Sequence, residues 1–530
     1  MSGTGCLPTM IYRDGIRKYS TVKFAGYNHT EAACDGGIYD MTNLTGDHYP
    51  VLASRKSRYR VRMLNIPNGM CAYDGLFWVD GTGFYANGVQ KGTVENSRKR
   101  FCALGNYVVI LPDKKYYNRL TDEFGSIESE WTGNVKIANG SYAGEDAEAN
   151  TITAVGVDFS EYFREGDAIE ISGCTNHSVN NRTLIIREID GANLHFYENS
   201  FIISEDGDSE NVTLSRKMPD VDFICQNENR LWACKGNTIY SSKLGDIFNW
   251  NVFDGLATDS YAVSVGSPGE FTGCFSYLGY PCFFKEEQIY KVYGDKPSSY
   301  QVMGSASLGT DKGSWNSFGI SGEVLFYLSR TGVSLYSGGF PQSIAAPFGT
   351  ERYKNAVGGS DGVKYYISMQ DTNDEWHLFV YDTRRNLWHR EDALHVIDFA
   401  WNGDLYFLDS DGTIWMNGNA RNVPSEASSE GTVQSECVFG DFTGGSSNKK
   451  GASKLQMRME LSAGSTVQVA MQFDSDGVWH TVRTLSATKK RSFYLPIIPR
   501  RNDHYRIKLS GSGEWRLYSL VYESYLGSEL

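Results

Sequence analysis

Histidine and cysteine are the residue types that most readily reveal metal or nucleophile chemistry, and here both are scattered. The ten cysteines, at positions 6, 34, 71, 102, 174, 225, 234, 274, 282 and 437, form no C-x-x-C pair. The nine histidines are isolated, and none lies near a cysteine pair at zinc-finger spacing. No segment matches G-x-S-x-G, H-E-x-x-H or a phosphate-binding loop. The sequence therefore predicts reduced, structural thiols and neither a metal nor a cofactor.

Two acidic turns come closest to a catalytic motif. Asp409 to Trp415 reads DSDGTIW, and Asp474 to Trp479 reads DSDGVW. Both are similar to the aspartate boxes of sialidase propellers, in which Asp and Ser oxygens cap backbone N–H groups and the Trp packs between strands. Such boxes are structural, and the arginine cluster, tyrosine nucleophile and acid of a sialidase cannot be assembled from this sequence. We therefore predict that the chain is not an enzyme and has no catalytic residues.

One basic segment stands out near the N-terminus. Five cationic side chains fall within eight positions: Arg55, Lys56, Arg58, Arg60 and Arg62. Alternation with Tyr59 and Val61 is typical of a strand with one solvated face. The functional alternative is a basic arm that docks on an acidic neighbour or on nucleic acid. Under that alternative, we expect these side chains to face a partner subunit or an adaptor protein.

Hairpin patterns recur through the middle of the chain. Segments 229–242, 280–294, 322–339, 374–392 and 403–418 each pair two apolar-alternating runs across a short polar turn. Their closing aromatics, Tyr240, Tyr290, Tyr336, Tyr381 and Trp415, are separated by 50, 46, 45 and 34 residues. Segments 75–89 and 99–118 fit the same pattern. A period of roughly 40–50 residues is typical of β-propeller blades, and the sequence predicts six or seven of them.

The predicted organisation is all-β with five parts. Residues 121–217 do not follow the hairpin pattern of the segments around them. This difference predicts a small β-barrel inserted in a propeller loop. The last hundred residues alternate apolar and polar positions, which is typical of an antiparallel β-sandwich. The predicted boundaries are 1–65 for an N-terminal arm with platform strands, 66–120 for the first propeller hairpins, 121–217 for the inserted barrel, 218–430 for the remaining blades, and 431–530 for a C-terminal β-sandwich-like platform.

In the segment NTIYSSKLGDIFNWNVFDG (237–255), large aromatic residues lie among polar residues. Phe248 and Trp250 are predicted to wedge into the gap between blades, where large rings bury much area. The alternative is a site where a ligand stacks on these rings. The side chains expected to pack between blades are Tyr240, Trp250, Tyr290, Tyr336, Tyr381 and Trp415.

Composition limits the classes of partner. The 530 residues include 50 Lys and Arg against 63 Asp and Glu, giving a net charge of −13. This balance argues against a wide nucleic-acid-binding surface, which needs clustered cations, but not against DNA that slides past. No stretch approaches the ~18 apolar residues of a membrane span. The N-terminal segment MSGTGCLPTMIYRDGIRKYS lacks the apolar core of a signal peptide, so no secretion is expected.

The order of these parts resembles the tail nozzle, or tail-hub, proteins of short-tailed bacteriophages. In the arm, the residues that carry the resemblance are Asp35, Asp40, Asn43, Leu44, Thr45, Pro50, Leu52, Arg55 and Arg58. In the propeller, it is carried by the segment from Arg230 to Trp250, which reads RLWACKGNTIYSSKLGDIFNW. The inserted barrel and the C-terminal β-unit complete the likeness, which extends over most of the chain.

The resemblance implies a structural virion protein. It implies a homo-hexameric ring below the portal and the head–tail adaptor, with attachment points for tail fibres or spikes. Genome DNA would pass through the lumen without sequence-specific binding. The protein would be assembled in the host bacterial cytoplasm and would reside in the virion tail. Known nozzle proteins can be longer, so the resemblance implies that this chain lacks part of a nozzle tip.

A second interpretation remains open at this stage. A glycan- or receptor-binding β-propeller, such as a tail spike, a lectin or a sialidase-like protein, would share the hairpin repeats. It would be a monomer or a trimer with an aromatic-lined pocket and would be stabilised by sugar. The ring interpretation predicts large subunit interfaces and a hexamer or dodecamer instead.

Overall fold

Strands dominate the computed structural model, which describes residues 16–30, 37–138, 150–197, 201–203, 208–444, 448–497 and 500–526. Strands make up 53% of the chain and helix 3%. Among the described residues no helix is long and apolar enough to cross a membrane. The predictions for Cys6, Cys34 and Asp35 fall outside the described residues.

The N-terminal arm supplies five short strands to other parts of the fold. They are β1 (Ile16–Thr21), β2 (Ile38–Thr42), β3 (Leu44–Thr45), β4 (Leu52–Ser54) and β5 (Tyr59–Met63).

Two propeller blades follow directly. Blade 1 contains β6 (Pro67–Ala72), β7 (Leu76–Asp80), β8 (Gly83–Ala86) and β9 (Val89–Thr93), and blade 2 contains β10 (Arg100–Leu104), β11 (Tyr107–Leu111), β12 (Lys115–Asn118) and β13 (Glu123–Ser126).

A closed six-stranded barrel then interrupts the propeller. Its strands pair around the barrel in the order β14-β15-β18-β17-β16-β19, and its interior is filled by apolar side chains such as Ile137, Ile169 and Leu214. The strands are β14 (Ser129–Ala138), β15 (Thr151–Thr153), β16 (Ala168–Ser172), β17 (Thr183–Asp190), β18 (Asn193–Phe196) and β19 (Asp208–Arg216).

Five further blades complete the propeller, each a meander of antiparallel strands. Blade 3 contains β20 (Phe223–Asn227), β21 (Arg230–Lys235), β22 (Thr238–Ser241) and β23 (Tyr261–Ser264). Blade 4 contains β24 (Gly273–Tyr277), β25 (Tyr280–Phe284), β26 (Gln288–Tyr293) and β27 (Gln301–Ala306). Blade 5 contains β28 (Gly319–Ser321), β29 (Val324–Ser329), β30 (Gly332–Tyr336) and β31 (Gln342–Ser343). Blade 6 contains β32 (Lys354–Ser360), β33 (Lys364–Gln370), β34 (Trp376–Asp382) and β35 (Leu387–Arg390). Blade 7 begins with β36 (Val396–Trp401), β37 (Leu405–Asp409) and β38 (Thr413–Met416).

Innermost strands of most neighbouring blades pack side by side, and blade 7 meets blade 1 through β36 and β6. Blades 1 and 2 share an apolar cluster, as do blades 4 and 5. The ring of seven blades in the described chain is therefore closed. Second strands such as β21 and β37 are almost wholly buried, because an adjacent blade covers each of their faces. The prediction of an all-β β-propeller is confirmed.

Blade 7 takes its fourth strand from the N-terminal arm. Strand β5 pairs antiparallel with β38, so that Met416 lies opposite Tyr59. A short edge strand, β39 (Ser428–Ser429), pairs with the other side of β5. Residues 59–63 therefore belong to the propeller, which corrects the boundary predicted at residue 65 between arm and propeller. Hydrophobic periodicity identifies a strand but not the distant strand with which it pairs.

The remaining strands form a β-sandwich that both ends of the chain build together. One sheet has the order β3-β4-β46-β41-β44, with β1 also paired to β46, and the other has the order β2-β40-β45-β42-β43. In β45 the side chains of Tyr505, Ile507 and Leu509 are buried while their neighbours are half-exposed, which is the alternation expected of a one-sided strand. The strands are β40 (Gln434–Phe439), β41 (Lys450–Leu461), β42 (Thr466–Phe473), β43 (His480–Leu485), β44 (Arg491–Leu495), β45 (Tyr505–Ser512) and β46 (Trp515–Leu526).

The arm is fixed to blade 6 by close backbone contact. A Cβ atom on Gly46 would lie 2.4 Å from the His389 ring, so only glycine allows this approach. Arg385 donates a hydrogen bond to the Gly46 carbonyl oxygen at 2.9 Å, and Asp47 is paired with Lys364. Burial, reinforced by Lys364, lowers the pKa of His389 to about 4, so this imidazole is neutral at pH 7.

Two arginines hold β5 in place. Arg55 donates to both carboxylate oxygens of Glu430 at 2.7 Å, and Arg58 pairs with Asp392 at 2.6 Å and with Glu391 at 2.5 Å. Both arginines are buried, at 5% and 3% exposure. Burial acts to raise the pKa of Asp392, but Arg58 and Arg55 outweigh it and hold this pKa below its usual range.

Replacing Arg58 should weaken ring closure. We expect Arg58→Met to lower the free energy of unfolding by roughly 3–5 kcal/mol, because it removes the nearer of the two arginines that pair with Glu391 and Asp392. Arg62→Met is the matched control, since Arg62 is exposed on the same strand over the Trp78 ring and should cost less than about 1 kcal/mol. Chemical unfolding measures both, and equal losses would contradict this role of Arg58.

Acidification should loosen the arm from blade 6. The folded-state pKa of His389 lies below its ordinary value of 6.5, so between pH 6.5 and about 4 the unfolded chain binds more protons. The free energy of unfolding should therefore fall over this range, by roughly 3 kcal/mol from this group alone. Thermal unfolding of the wild type and of His389→Gln from pH 7 to 4 tests this. The variant should lose less stability, and parallel profiles would rule out His389 as a cause.

Candidate functional site

The axial channel of the propeller forms a large cavity in the described part of the chain. It encloses about 980 Å³, and the innermost strand of every blade contributes to its wall. The wall side chains include four cysteines on successive blades and several aromatics, among them Phe223, Phe275, Trp315 and Trp401. A cavity of this size is typical of small-molecule sites.

An ion-pair network spans the end of the channel where the innermost strands begin. Asp398 Oδ1 accepts from Arg98 Nη2 at 2.6 Å and from Asn316 Nδ2 at 2.8 Å. Its Oδ2 accepts from Arg98 Nη1 and from the backbone N–H of Met70, both at 2.8 Å. The buried Asp398 carboxylate of blade 7 therefore links blade 1, the segment between blades 1 and 2, and the segment that leads into blade 5.

A cation–aromatic cluster lies beside this network. The Arg100 guanidinium carbon is 4.8 Å from the ring centroid of Trp315 and 5.4 Å from that of Phe223. Arg98 approaches the same Trp315 ring at 5.7 Å. Burial lowers the pKa of Arg100, against the raising effect of Asp222, but a guanidinium remains charged at neutral pH. Sequence reasoning missed this cluster, because its members come from separate blades and match no local motif.

The channel cysteines are buried and unpaired thiols. Cys71, Cys102, Cys225 and Cys274 occupy the innermost strands of blades 1 to 4. Burial raises the pKa of Cys71, Cys102 and Cys274, and for Cys225 a hydrogen bond to Cys274 has the largest raising effect. These groups are therefore neutral at pH 7, and a neutral thiol is a poor nucleophile.

The predicted docking residues separate into two groups. Arg55 and Arg58 are buried in ion pairs within the chain, so the prediction that they face a partner is wrong for these two. The carboxylates that neutralise them lie more than 300 positions later in the sequence. Lys56, Arg60 and Arg62 are exposed, and Arg60 lies over the Trp415 ring at 5.4 Å.

The aromatics that recur in the sequence mark equivalent positions in the blades. Tyr240, Tyr290, Tyr336, Tyr381 and Trp415 all lie on the third strand of successive blades, 3 to 7. Tyr290 packs among side chains of blades 3 and 4, Tyr336 among those of blades 4 and 5, and Tyr381 lies 5.7 Å from Phe326 of blade 5. Tyr240 is partly buried against the cluster between blades 2 and 3.

Trp415 departs from the predicted packing between blades. It packs with Val396 and Phe407 of its own blade, and its Nε1 donates to Asp409 Oδ2 at 2.7 Å. Asp409 Oδ1 accepts the backbone N–H of Thr413 at 2.7 Å. This aspartate box therefore fixes its turn and its own tryptophan, which is the structural role predicted for it.

Phe248 and Trp250 lie at a three-way joint between blade 2, blade 3 and the barrel. Phe248 meets Tyr116 of blade 2 edge-on at 5.1 Å, and Arg164 of the barrel covers it at 4.1 Å. Trp250 is buried in the same cluster. Asn249 Oδ1 accepts the backbone N–H of Ala168 at 2.8 Å. The two rings therefore pack against protein on several sides, and the joint includes the barrel as well as the blades.

Two turns each contain carboxylates and a histidine, which are residue types that can bind a cation. Asp371, Glu375 and His377 approach one another in blade 6, as do Asp474, Asp503 and His504 in the sandwich. In the first, Asp371 Oδ1 caps the N–H groups of Asn373 and Glu375 and its Oδ2 contacts His377 at 3.1 Å. In the second, Asp474 Oδ1 caps the N–H of Asp503 at 2.8 Å. These carboxylates already stabilise the turns in which they lie.

No protein-family model and no curated protein matches the chain. Among solved structures, U3-55K is similar at 6% identity and a TM-score of 0.34, over 68% of this chain and 98% of its own. Hsv2 of Kluyvelomyces marxianus is similar at 12% identity and 0.28, over 42% and 81%. An exo-β-1,3-galactanase of Phanerochaete chrysosporium, solved with galactose, is similar at 8% and 0.22, over 56% and 94%. One of these three is an enzyme, and at such identities and TM-scores no function is taken from any of them.

The hydrogen bonds of Asp398 should stabilise the fold. We expect Asp398→Asn to lower the free energy of unfolding by about 2 kcal/mol, because it removes the charge that binds Arg98 and Asn316. Asp411→Asn makes the same chemical change at an exposed turn of blade 7 and should be near neutral. Chemical unfolding of both variants measures the difference, and a neutral Asp398→Asn would show that the network does not hold the blades together.

Proposed function

We propose that this chain is a structural subunit of a ring-shaped tail nozzle of a short-tailed bacteriophage, located below the portal and adaptor. In this proposal the subunit needs no cofactor and no catalytic turnover. It assembles in the host bacterial cytoplasm, acts in the virion tail, and offers attachment points for tail fibres or spikes.

The main support for the proposal comes from the positions of the arm residues on which the resemblance to nozzle proteins rests. Asn43 adopts a φ of 56°, and its Nδ2 donates to the Gln434 carbonyl oxygen while its Oδ1 accepts from Arg55 Nε, both at 2.7 Å. Its backbone N–H donates to the Glu391 carbonyl oxygen. One side chain and its backbone thus connect the arm, the sandwich and the propeller.

Neighbouring arm residues have the same role. Leu44 and Leu52 are buried in the core shared by the sandwich and blades 5 and 6, and Arg58 closes blade 7. The described residues of this motif are therefore used to join three parts of the chain into one unit. Parts joined in this way are suited to a structural subunit, because a subunit in a ring must transmit load between its interfaces.

One face of the propeller exposes large apolar side chains. The turns between strands 1 and 2 and between strands 3 and 4 of each blade lie at the same end of the strands. Exposed side chains in or beside these turns include Leu120, Phe253, Leu256, Leu278 and Phe340, with exposures from 57% to 77%. Apolar side chains gathered on one face favour contact with another protein surface, here a second copy in the ring.

DNA would pass along the axis of the ring of subunits rather than through a single propeller. The propeller channel encloses about 980 Å³, and the contacts of Asp398 and Trp315 span one end of it. A duplex about 20 Å wide does not fit such a space. The net charge of −13 suits a lumen that repels phosphate and lets DNA slide.

The oligomeric mass tests the proposal. Mass photometry of the purified chain should show a six-subunit species, and Phe253→Ser combined with Leu256→Ser should shift the population toward monomer, because burial of these side chains drives association. Val155→Ser is the matched control, since Val155 is 96% exposed on the inserted barrel. A wild-type chain that stays monomeric or trimeric would contradict the ring.

A further inference from the structure

Arg100 is the one charged side chain of the described channel wall without a polar partner. Four charged residues line the wall: Lys99, Arg100, Asp361 and Asp398. Lys99 is paired with Asp113 and Asp398 with Arg98. Asp361 accepts the N–H groups of Val363 and Lys364 and the Tyr366 hydroxyl. The Arg100 Nε is buried without a hydrogen-bond partner, and no carboxylate of the described chain lies within ion-pair distance of this guanidinium.

Arg100 is half-buried, and the fully buried arginines of the described chain all have polar partners. Arg55, Arg58 and Arg216 each pair with a carboxylate, and Arg230 donates to three backbone carbonyl oxygens. A cation removed from water is costly unless hydrogen bonds and an opposite charge compensate it. Arg100 therefore places in the channel a positive charge that has no hydrogen bond or ion pair with the described residues, although Asp222 raises its pKa from a greater distance.

The position of Arg100 favours an anion with a single negative charge that accepts hydrogen bonds at the edge of the guanidinium group. The Trp315 and Phe223 rings cover its guanidinium group, so its N–H groups are left to donate at the edge. A planar fork of donors matches a carboxylate, which can accept two parallel hydrogen bonds. One unpaired cation offsets one negative charge and not the several charges of a polyphosphate.

Other side chains of the channel wall are of the types that bind sugars. Phe275 and Phe318 stack at 5.2 Å beside the channel, and Trp401 is 51% exposed at its other end. Aromatic faces attract the positively polarised C–H groups of a sugar ring. Polar side chains of the wall, among them Gln226, Ser276 and Asn316, can bind hydroxyl groups.

We propose that the axial channel binds an acidic saccharide, with a uronate carboxylate on Arg100 and sugar rings against the aromatic side chains of the wall. Binding of this kind is not required of a nozzle subunit, and it does not depend on ring assembly. It would give each subunit a site for an acidic surface or capsule sugar.

Calorimetric titration of the full chain with trigalacturonate at pH 7 tests the proposal. We expect binding that is at least tenfold weaker for neutral galactotriose and for fully methyl-esterified trigalacturonate, since both lack the carboxylate charge. Inorganic phosphate at the same concentration should not compete. These comparisons use the wild-type protein and need no folded variant.

Variants then locate the site. Arg100→Gln should weaken trigalacturonate binding at least tenfold, and Arg100→Lys, which keeps the charge without the fork, should fall between this variant and the wild type. Arg330→Gln is the control, because Arg330 is an exposed arginine paired with Glu287 and should leave binding unchanged. No binding, equal binding of the esterified probe, or unchanged binding by a folded Arg100→Gln would each overturn the proposal, whatever the oligomeric mass of the chain.

Discussion

The buried pairing of Arg55 and Arg58 with Glu391, Asp392 and Glu430 is the interaction on which the rest of the structure depends. It holds strand β5 in blade 7, and β5 is the strand that closes the propeller ring. The same segment is continuous with β3 and β4 of the sandwich, so one short stretch fixes both parts. Because a buried charge without its partner is strongly unfavourable, these ion pairs favour the observed pairing of β5 with blade 7 over alternatives.

The channel repeats this principle on a smaller scale. Asp398 gathers donors from three other parts of the ring, and Trp315 receives two guanidinium groups. Apolar packing between blades supplies most of the stabilising area, but it is not directional and would tolerate small rotations of the blades. Charged hydrogen bonds across the axis fix their positions. Arg100 differs from these groups because the described residues offer it aromatic faces but no ion pair.

Sequence periodicity was enough to predict the all-β propeller, because each blade carries its own turn residues and a third-strand aromatic such as Tyr290 or Tyr336. The aspartate box at Asp409 could also be interpreted locally, since its hydrogen bonds join residues at most six positions apart. The burial of Arg55 and Arg58 could not be predicted, because their carboxylates lie more than 300 positions away. The grouping of Arg98, Arg100 and Trp315 was inaccessible for the same reason: ring closure, and not local sequence, brings them together.

A unit in which the N-terminal arm and the C-terminal strands form one sandwich, with apolar side chains on one propeller face, is consistent with a subunit that works in a closed ring. Single-particle electron microscopy of the purified chain tests this central claim most directly. End-on views should show six propellers arranged around an open axis wide enough for a DNA duplex. Isolated propellers, or trimers without an axial opening, would contradict it.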